Sequence, residues 1–315
     1  MSEVVARFDE MQRRRAIVGF PFAVCKRYGE DHGGWLGSLI AYYGFFSLYP
    51  LLVVFVTIAT WVLRDRPRAL QRVLEAMWSK VPFAPADLTA GVDQQVAALG
   101  GHAWVLLISL LVTLWGGVGV VRVLQDTVNT IWAVPRYRRP RFVPKVARGL
   151  LIIVLLGLGI IGTAVVAGIT LTVDLPVVAA VSSAMANVAL AAAIAVVVYH
   201  LVLGVPVPTA DLLPGALITG VGAYAITFVG GIYVKHVVAR MTGVYGPFAS
   251  TIGLLAYVSL IVQVFVFGTE VNVVRARHLW PRALTPRLGP ADHRAIELTM
   301  RREALADPDA DAVAN

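Results

Sequence analysis

The chain has 315 residues, room enough for one large or two modest soluble domains, yet 58% of them are hydrophobic and only 15% are charged, and its mean hydropathy is +0.74. That balance excludes a typical cytosolic enzyme and points to lipid as the main solvent. The formal net charge of +8 then describes placement in a membrane.

The N-terminal segment, 1–35, has no secretory signal pattern, because Arg13-Arg14-Arg15 is followed by only a short apolar patch interrupted by Lys26-Arg27. Residues 16–34 read as an amphipathic segment lying on the cytoplasmic membrane surface. Cys25 is the one cysteine, so no internal disulfide forms. It reads as a small membrane-facing or buried hydrophobe, with lipidation or redox chemistry as the alternative.

Uncharged stretches at 36–63, 102–121, 149–173, 178–203, 212–234 and 248–269 run for 20 to 28 residues. At about 1.5 Å per residue, about 20 residues cross the hydrocarbon layer, so each stretch reads as a transmembrane helix. Asp174 is the one charged residue between 149 and 210, and with Pro176 it marks a tight hairpin between the third and fourth spans. Pro67, Pro82, Pro85, Pro135, Pro140, Pro144, Pro206 and Pro208 fall in connections, and Pro247 can open the sixth span. Pro50 lies inside the first, where it implies a kink or a start after a broken segment.

With the N-terminus inside, one face receives 20 Lys and Arg and the other 7, which places both termini in the cytoplasm. The connection 64–101 carries Leu70, Val73, Leu74, Met77 and Trp78 at helical spacing and reads as one or two short helices over the mouth of the bundle. The polar stretch after 280 closes in Asp307-Pro-Asp309-Ala-Asp311, and that end is expected to be disordered. The expected fold class is all-α: a polytopic membrane protein with six transmembrane helices plus amphipathic or short interfacial helices. It divides into a cytoplasmic and interfacial segment 1–35, a membrane domain 36–273 and a cytoplasmic, partly disordered tail 274–315.

In the first span, Tyr42, Tyr43, Ser47 and Tyr49 place hydroxyls beside Gly44 and Pro50. They read either as an aromatic belt with a packed kink or as a bent helix lining a cavity, with Tyr43 and Ser47 on one face. Arg122, Asp126 and Asn129 follow the second span at i, i+4 and i+7, so they form a polar cluster on one helical face, for structural pairing or a lipid headgroup. Arg136, Arg138, Arg139, Arg141, Lys145 and Arg148 form a basic run. Tyr137 and Phe142 within it admit a nucleic-acid reading, but its position between spans favours anionic lipid headgroups.

Ser183, Asn187 and Ala191 share a face of the fourth span, where Asn187 reads as a bond to another helix or a cavity residue. His200 near the cytoplasmic end reads as structural. Asp211 reads as the cap of the fifth helix, with Pro214 in its first turn. Gln263 and Glu270 share a face of the sixth span. Glu270 reads as a partner of Arg122 or Arg275, or as a coupling carboxylate near the cytoplasmic exit. The six histidines, at 32, 102, 200, 236, 278 and 293, have no metal-ligand spacing, so no metal and no cofactor are expected.

Ala41-Tyr-Tyr-Gly-Phe-Phe-Ser-Leu-Tyr-Pro50, Asn129-Thr-Ile-Trp-Ala-Val-Pro135, Asp211-Leu-Leu-Pro-Gly-Ala216, Val244-Tyr-Gly-Pro-Phe248 and Gly268-Thr-Glu-Val-Asn272 occur in this order. Together they resemble the family of bacterial inner-membrane proteins known as YihY or virulence factor BrkB, once labelled ribonuclease BN, over roughly residues 15–280. The chain departs from the family pattern at Pro247-Phe248-Ala249, where Ser-Leu-Gly is usual, at Ala256-Tyr257, where a tryptophan-containing run is common, and at Thr269, where alanine is common. The resemblance implies six spans in the inner membrane and an association with envelope integrity, resistance to serum killing or export of envelope lipids.

Two functions follow as expectations: a transporter or flippase-like exporter of a lipid or amphiphilic envelope component, or a noncatalytic scaffold binding anionic lipids or a protein. The partners expected are membrane lipids, with a second copy of the chain or an envelope protein left open, and no nucleic acid. Metal-dependent RNA cleavage needs clustered His and Asp ligands that this sequence does not space correctly. Protein freed of contaminating nucleases is therefore expected not to cleave RNA, and cleavage that is lost on altering Asp126 or Glu270 would overturn that expectation.

Overall fold

The computed structural model describes residues 9–13, 15–63, 66, 68–73, 119–139, 142–170, 176–233, 247–284 and 288–303, and among these it has helices and no strand. The helices are α1 (Ala16–Glu30), α2 (Gly33–Val62), α3 (residues 119–131), α4 (Phe142–Thr170), α5 (Pro176–Val202), α6 (Thr209–Tyr233), α7 (Pro247–Ala276) and α8 (Pro290–Glu303), with a 3-10 turn at Arg136–Arg138 between α3 and α4. Helices α5, α7 and α8 each open on a proline, whose missing amide costs nothing in a first turn. Between α1 and α2 the chain reverses at His32, which takes the left-handed region at φ 54°, and Gly33 follows where a Cβ would lie 2.5 Å from the Tyr28 ring.

Four helices among the described residues are long and apolar enough to cross a membrane: Pro144–Thr163, Val177–Val202, Thr209–Gly230 and Thr251–Ala276. They coincide with the third to sixth stretches read from the sequence. The first stretch lies within α2, which runs without interruption past position 50, so the chain neither breaks nor starts there. Of the second, only residues 119–121 are described, as the start of α3. Four spans rather than six are therefore recognised among the described residues. The Asp174 hairpin and the Val244–Gly246 part of its motif lie outside the described residues, as does most of the connection 64–101.

Large apolar side chains point outward along these helices, including Leu151, Val154 and Leu158 of α4 and Val177, Val181 and Met185 of α5. Such a belt is the expected surface of a helix solvated by lipid, and backbone groups there must be satisfied within the helix. Inside, α7 is the hub: it packs on α6, α2 and α1, while α5 packs between α6 and α4.

Small residues set these contacts, because hydrocarbon offers no hydrophobic drive for helices to associate and close backbone approach must supply the attraction. A Cβ on Gly215 of α6 would stand 1.9 Å from the carbonyl oxygen of Gly268 in α7, and one on Gly268 would stand 2.5 Å from that of Gly215. Gly220 of α6 lies against α5, its Cβ position 2.7 Å from Val188 O.

The start of α6 departs from the sequence reading. The helix begins at Thr209, two residues before Asp211, so Pro214 sits inside it rather than in its first turn. Proline cannot donate there, and the amide of the next residue, Gly215, donates across to Asn272 Oδ1 of α7 at 2.7 Å.

The described residues beyond 280 include a further helix. Residues 279–284 fold against α1, and α8 is a 14-residue helix with Ala291, Asp292 and Ala295 buried. The acidic end, 304–315, lies outside the described residues.

Gly215→Ala forces a methyl into the Gly268 carbonyl and is expected to cost about 1–3 kcal/mol of stability. Gly29→Ala, with nothing within 4 Å of its Cβ position, is expected to be neutral or to stabilise by up to about 1 kcal/mol. Thermal midpoints of the two purified variants in the same detergent test the contrast.

Candidate functional site

Both described ends of the chain, the end of α3, the start of α4 and the α5–α6 connection gather at one end of the bundle. Asn129 is the staple between them. Its Nδ2 donates to Gln125 O at 2.7 Å and to Val202 O at 2.9 Å, and its Oδ1 accepts from Gly204 N at 2.8 Å. The side chain is 1% exposed, and it satisfies the frayed end of α5, whose last carbonyls have no helical partner. The trio Arg122, Asp126 and Asn129 is thus not one cluster. Asp126 turns outward to Lys145 Nζ at 2.7 Å, and Arg122 is exposed.

The basic run is largely engaged by the protein itself. Arg139 donates to Val134 O at 3.1 Å and to Thr130 Oγ1 at 3.2 Å, and Arg148 donates to Leu203 O at 3.3 Å. Lys145 holds Asp126, and Arg138 lies exposed over the Tyr137 ring. The side chains of Arg136 and Arg141 lie outside the described residues. His200 Nε2 lies 3.1 Å from Thr209 Oγ1 and closes the α5–α6 connection.

An ionic clasp joins the N-terminal and C-terminal segments. Arg282, 4% exposed, donates through Nε to Asp292 Oδ1 at 2.8 Å and through Nη2 to Glu30 Oε1 at 2.7 Å. Asp292 also accepts from the amides of Gly289 at 3.0 Å and Ala283 at 3.1 Å, while Lys26 Nζ donates to Ala283 O at 2.7 Å. Asp9 accepts from Leu284 N at 3.0 Å and pairs with Arg13 at 3.0 Å, and Gln12 donates to the carbonyl of Arg282. Burial of Asp292 opposes its charge, but the Gly289 amide, Arg282 and the Ala283 amide outweigh it and hold the carboxyl below its ordinary value. Asp9 is lowered likewise, against its own burial, by the Leu284 amide, Gln12 and Arg13.

Next to the clasp lies a groove of about 700 Å³ between α1, α6 and α7. Leu217, Ile218, Val221 and Leu260 form its apolar rim, and Cys25 stands exposed at its edge. Its polar back wall is Gln263 and Tyr28. The Tyr28 hydroxyl donates to Gln263 Oε1, and Gln263 Nε2 donates to Gly34 O at 2.9 Å. Gly37 leaves the room: its Cβ would lie 2.5 Å from Gln263 Oε1. Gln263 therefore pins the α1–α2 corner to α7.

Two turns further along the same face of α7, Glu270 is wholly buried. Burial, and then the Glu270 carboxylate, push the Tyr28 hydroxyl above the usual phenol value.

The remaining candidates separate. Ser47 is buried and donates to Gly44 O at 3.0 Å, its own helix. Tyr43 is exposed, with its ring near the Cβ position of Gly119, and Tyr42 packs on Phe46. The side chain of Pro50 lies outside the described residues. Among the described residues Asn187 bonds only within its own helix: its Nδ2 donates to Ser183 O of α5 at 2.8 Å. It borders a second cavity of about 300 Å³ between α4, α5 and α6. Among the described residues no group of three or more His, Cys, Asp or Glu is placed to hold a metal ion.

Sequence reasoning missed Tyr28, Asn272, Arg282 and Asp292. Only Asn272 carried a signal, as the final residue of the Gly268–Asn272 motif. The partners of the other three are up to 270 positions away in the chain.

A family model described as virulence factor BrkB matches residues 24–287. Over 129 residues the chain is 23% identical to the inner membrane protein YhjD of Escherichia coli (strain K12), a match that takes in 40% of this chain and 37% of that protein. The chain therefore matches well under half the length of that relative. No solved structure matches.

Removing Arg282 takes the nearer counter-charge from buried Asp292 and leaves only Lys26, 3.8 Å away, so the cost approaches the about 3–5 kcal/mol of a broken buried pair. Arg282→Leu is expected to release α8, read as at least tenfold faster tryptic cleavage at Arg294 and Arg301. The lowered Asp9 and Asp292 carboxyls contribute stability that is present above the unfolded value, 3.8, and lost as pH falls through their folded values. Pepsin cleavage between 284 and 303 should therefore accelerate as pH falls below about 4, and less so in Asp292→Asn, which is already loosened at neutral pH.

Proposed function

The chain belongs to the virulence factor BrkB family, and on that premise we propose that it is a multi-pass inner-membrane protein that moves a lipid or amphiphilic envelope component between leaflets. The observation that carries this reading is the groove beside α1. An acyl chain can lie between Leu217, Val221 and Leu260 while the polar part meets the Gln263 amide and Tyr28 hydroxyl. In hydrocarbon such polar groups favour a ligand that carries both characters. The rim lies on two helices apolar enough to span, so a lipid can enter sideways without crossing water.

Six spans, with α2 and the stretch 102–121 as the first two, place both termini in the cytoplasm, and the gathering of the basic residues and the clasp at one end supports that orientation. Helix α1 forms a wall of the groove and is held by polar bonds to α7 and to the clasp, so it is the element that moves on loading. Glu270, buried beside Tyr28, is the group whose charge a coupled step would use.

A scaffold is the second reading. Its support is the Gly215–Gly268 contact, too tight for a path between α6 and α7, and the absence of any shared lining residue between the two cavities. On that reading the exposed Arg138 and the C-terminal helix meet anionic lipid or a protein partner.

The two readings separate in proteoliposomes carrying a fluorescent phospholipid panel. Transport predicts protein-dependent exchange between leaflets that falls about tenfold or more in Gln263→Leu, which removes the amide of the groove wall and leaves the Tyr28 hydroxyl without its partner. No exchange with any lipid by protein shown to be folded would leave the scaffold.

A further inference from the structure

The clasp reaches further than the charges it pairs. Three consecutive residues, Arg282, Ala283 and Leu284, form a strap that takes bonds from both arms of the N-terminal segment. From the helical turn at 9–13, Gln12 donates to Arg282 O and Asp9 accepts from Leu284 N at 3.0 Å. From α1, Glu30 accepts from Arg282 Nη2 at 2.7 Å and Lys26 Nζ donates to Ala283 O at 2.7 Å. The two arms are themselves pressed together, since a Cβ on Gly19 would meet Gln12 O. Trp280, just before the strap, adds an edge contact to Phe20 of α1, with 6.4 Å between ring centroids.

One residue buckles the strap from its other side. Asp292, in the first turn of α8, accepts from Arg282 Nε at 2.8 Å and from the amides of Ala283 at 3.1 Å and Gly289 at 3.0 Å. Arg282 is 4% exposed and Asp292 2%, and separating two such charges strands both. The strap and the start of α8 therefore dock or leave together.

Toward α7, α1 is held by less. Of its buried residues, Gly19, Ala23 and Val24 offer little apolar area, and Arg27 pairs with Asp31 at 2.8 Å in the α1–α2 corner. Tyr28 adds the hydroxyl bond to Gln263 and a ring contact with Phe267 at 5.9 Å, both near one end of the helix. The strap thus holds α1 along its length and Tyr28 pins its end. The opposite face, with Ile17, Pro21 and Cys25, is exposed, and Cys25 borders the groove. Because α1 is a wall of that groove, what holds α1 sets the groove's width.

We propose that the strap and α8 are a latch on the groove. Docked, they hold α1 against α7; undocked, they let α1 swing about the α1–α2 corner, where Tyr28 and Gln263 stay joined, and the groove widens. The bearing on lipid movement rests on the groove being the lipid path, whereas the latch itself does not.

Hydrogen exchange of the full chain in phosphatidylcholine nanodiscs reads α1 whatever the groove contains. Arg282→Leu is expected to speed exchange of the α1 amides, 16–30, at least about tenfold, with α6 and α7 at wild-type rates. Asp292→Asn leaves Arg282 and every α1 side chain in place; it should speed α1 about threefold or more and serves as the test if Arg282→Leu does not fold. Gln263→Leu, which cuts only the inner anchor, should leave 16–24 protected. Wild-type protection of α1 in a folded clasp variant, loosening of α6 and α7 together with α1, or loosening of 16–24 by Gln263→Leu as great as by Arg282→Leu would each overturn the latch. A diazirine-bearing palmitate in the same nanodiscs is expected to label 217–221 faster when α1 is loosened. Labelling that does not rise with α1 exchange would overturn control of the groove, and no labelling in any variant would remove the lipid path while the exchange pattern still carried the latch.

Discussion

Two glycines facing each other across α6 and α7 decide how the rest of the bundle can be built. At Gly215 and Gly268 each backbone carbonyl occupies the place of the other residue's Cβ, so the helices touch along their backbones. That proximity lets Asn272 reach the amide of Gly215 next to Pro214. It also stacks the Tyr199 ring on Phe265, 4.7 Å between centroids, and brings the Tyr199 hydroxyl to Phe265 O at 3.1 Å and Thr219 at 3.2 Å. With lipid outside, this dense contact with its enclosed polar bonds replaces the hydrophobic drive available to a soluble core.

The polar groups follow a division imposed by the solvent. Charges are buried where partners from several segments surround them, at the end that holds the clasp, and Arg27 and Asp31 make a further pair there at 2.8 Å. Among the described residues deeper in the bundle, Glu270 apart, the polar side chains are neutral amides and hydroxyls, most of them bonded to a carbonyl four residues earlier, as with Thr219, Thr227 and Thr269. The exceptions are informative. Gln263 spends both ends of its amide on the α1–α2 corner, and Asn187 spends one end and leaves the other buried without a hydrogen-bond partner.

Helix α1 shows how these regions are connected. It is short, carries Pro21 and buries one side, through Gly19, Ala23, Val24 and Arg27. The amphipathic stretch read from the sequence packs on α7, because Gln263 gives Tyr28 a partner and the clasp holds Lys26 and Glu30. The groove exists only because α1 is docked there, and its two polar anchors come from opposite directions, one from within the bundle and one from the folded C-terminal segment.

The helical class, the four recognised spans and the gathering of basic residues at one end are legible in the sequence, because each depends on local composition, on the length needed to cross hydrocarbon and on the cost of charge within it. Pairings are not local. Asn129 could be read as polar on a face it shares with Arg122 and Asp126, but not as the cap of a helix 73 residues further on. Likewise, Gln263 and Glu270 could be placed on one face, while Tyr28, the partner of Gln263, comes from a segment 235 positions away. The residue types and periodicity alone determined which stretches meet lipid and which end carries charge. Only the tertiary structure decided which polar groups satisfy one another and where space is left, because both depend on how closely glycine lets two backbones approach.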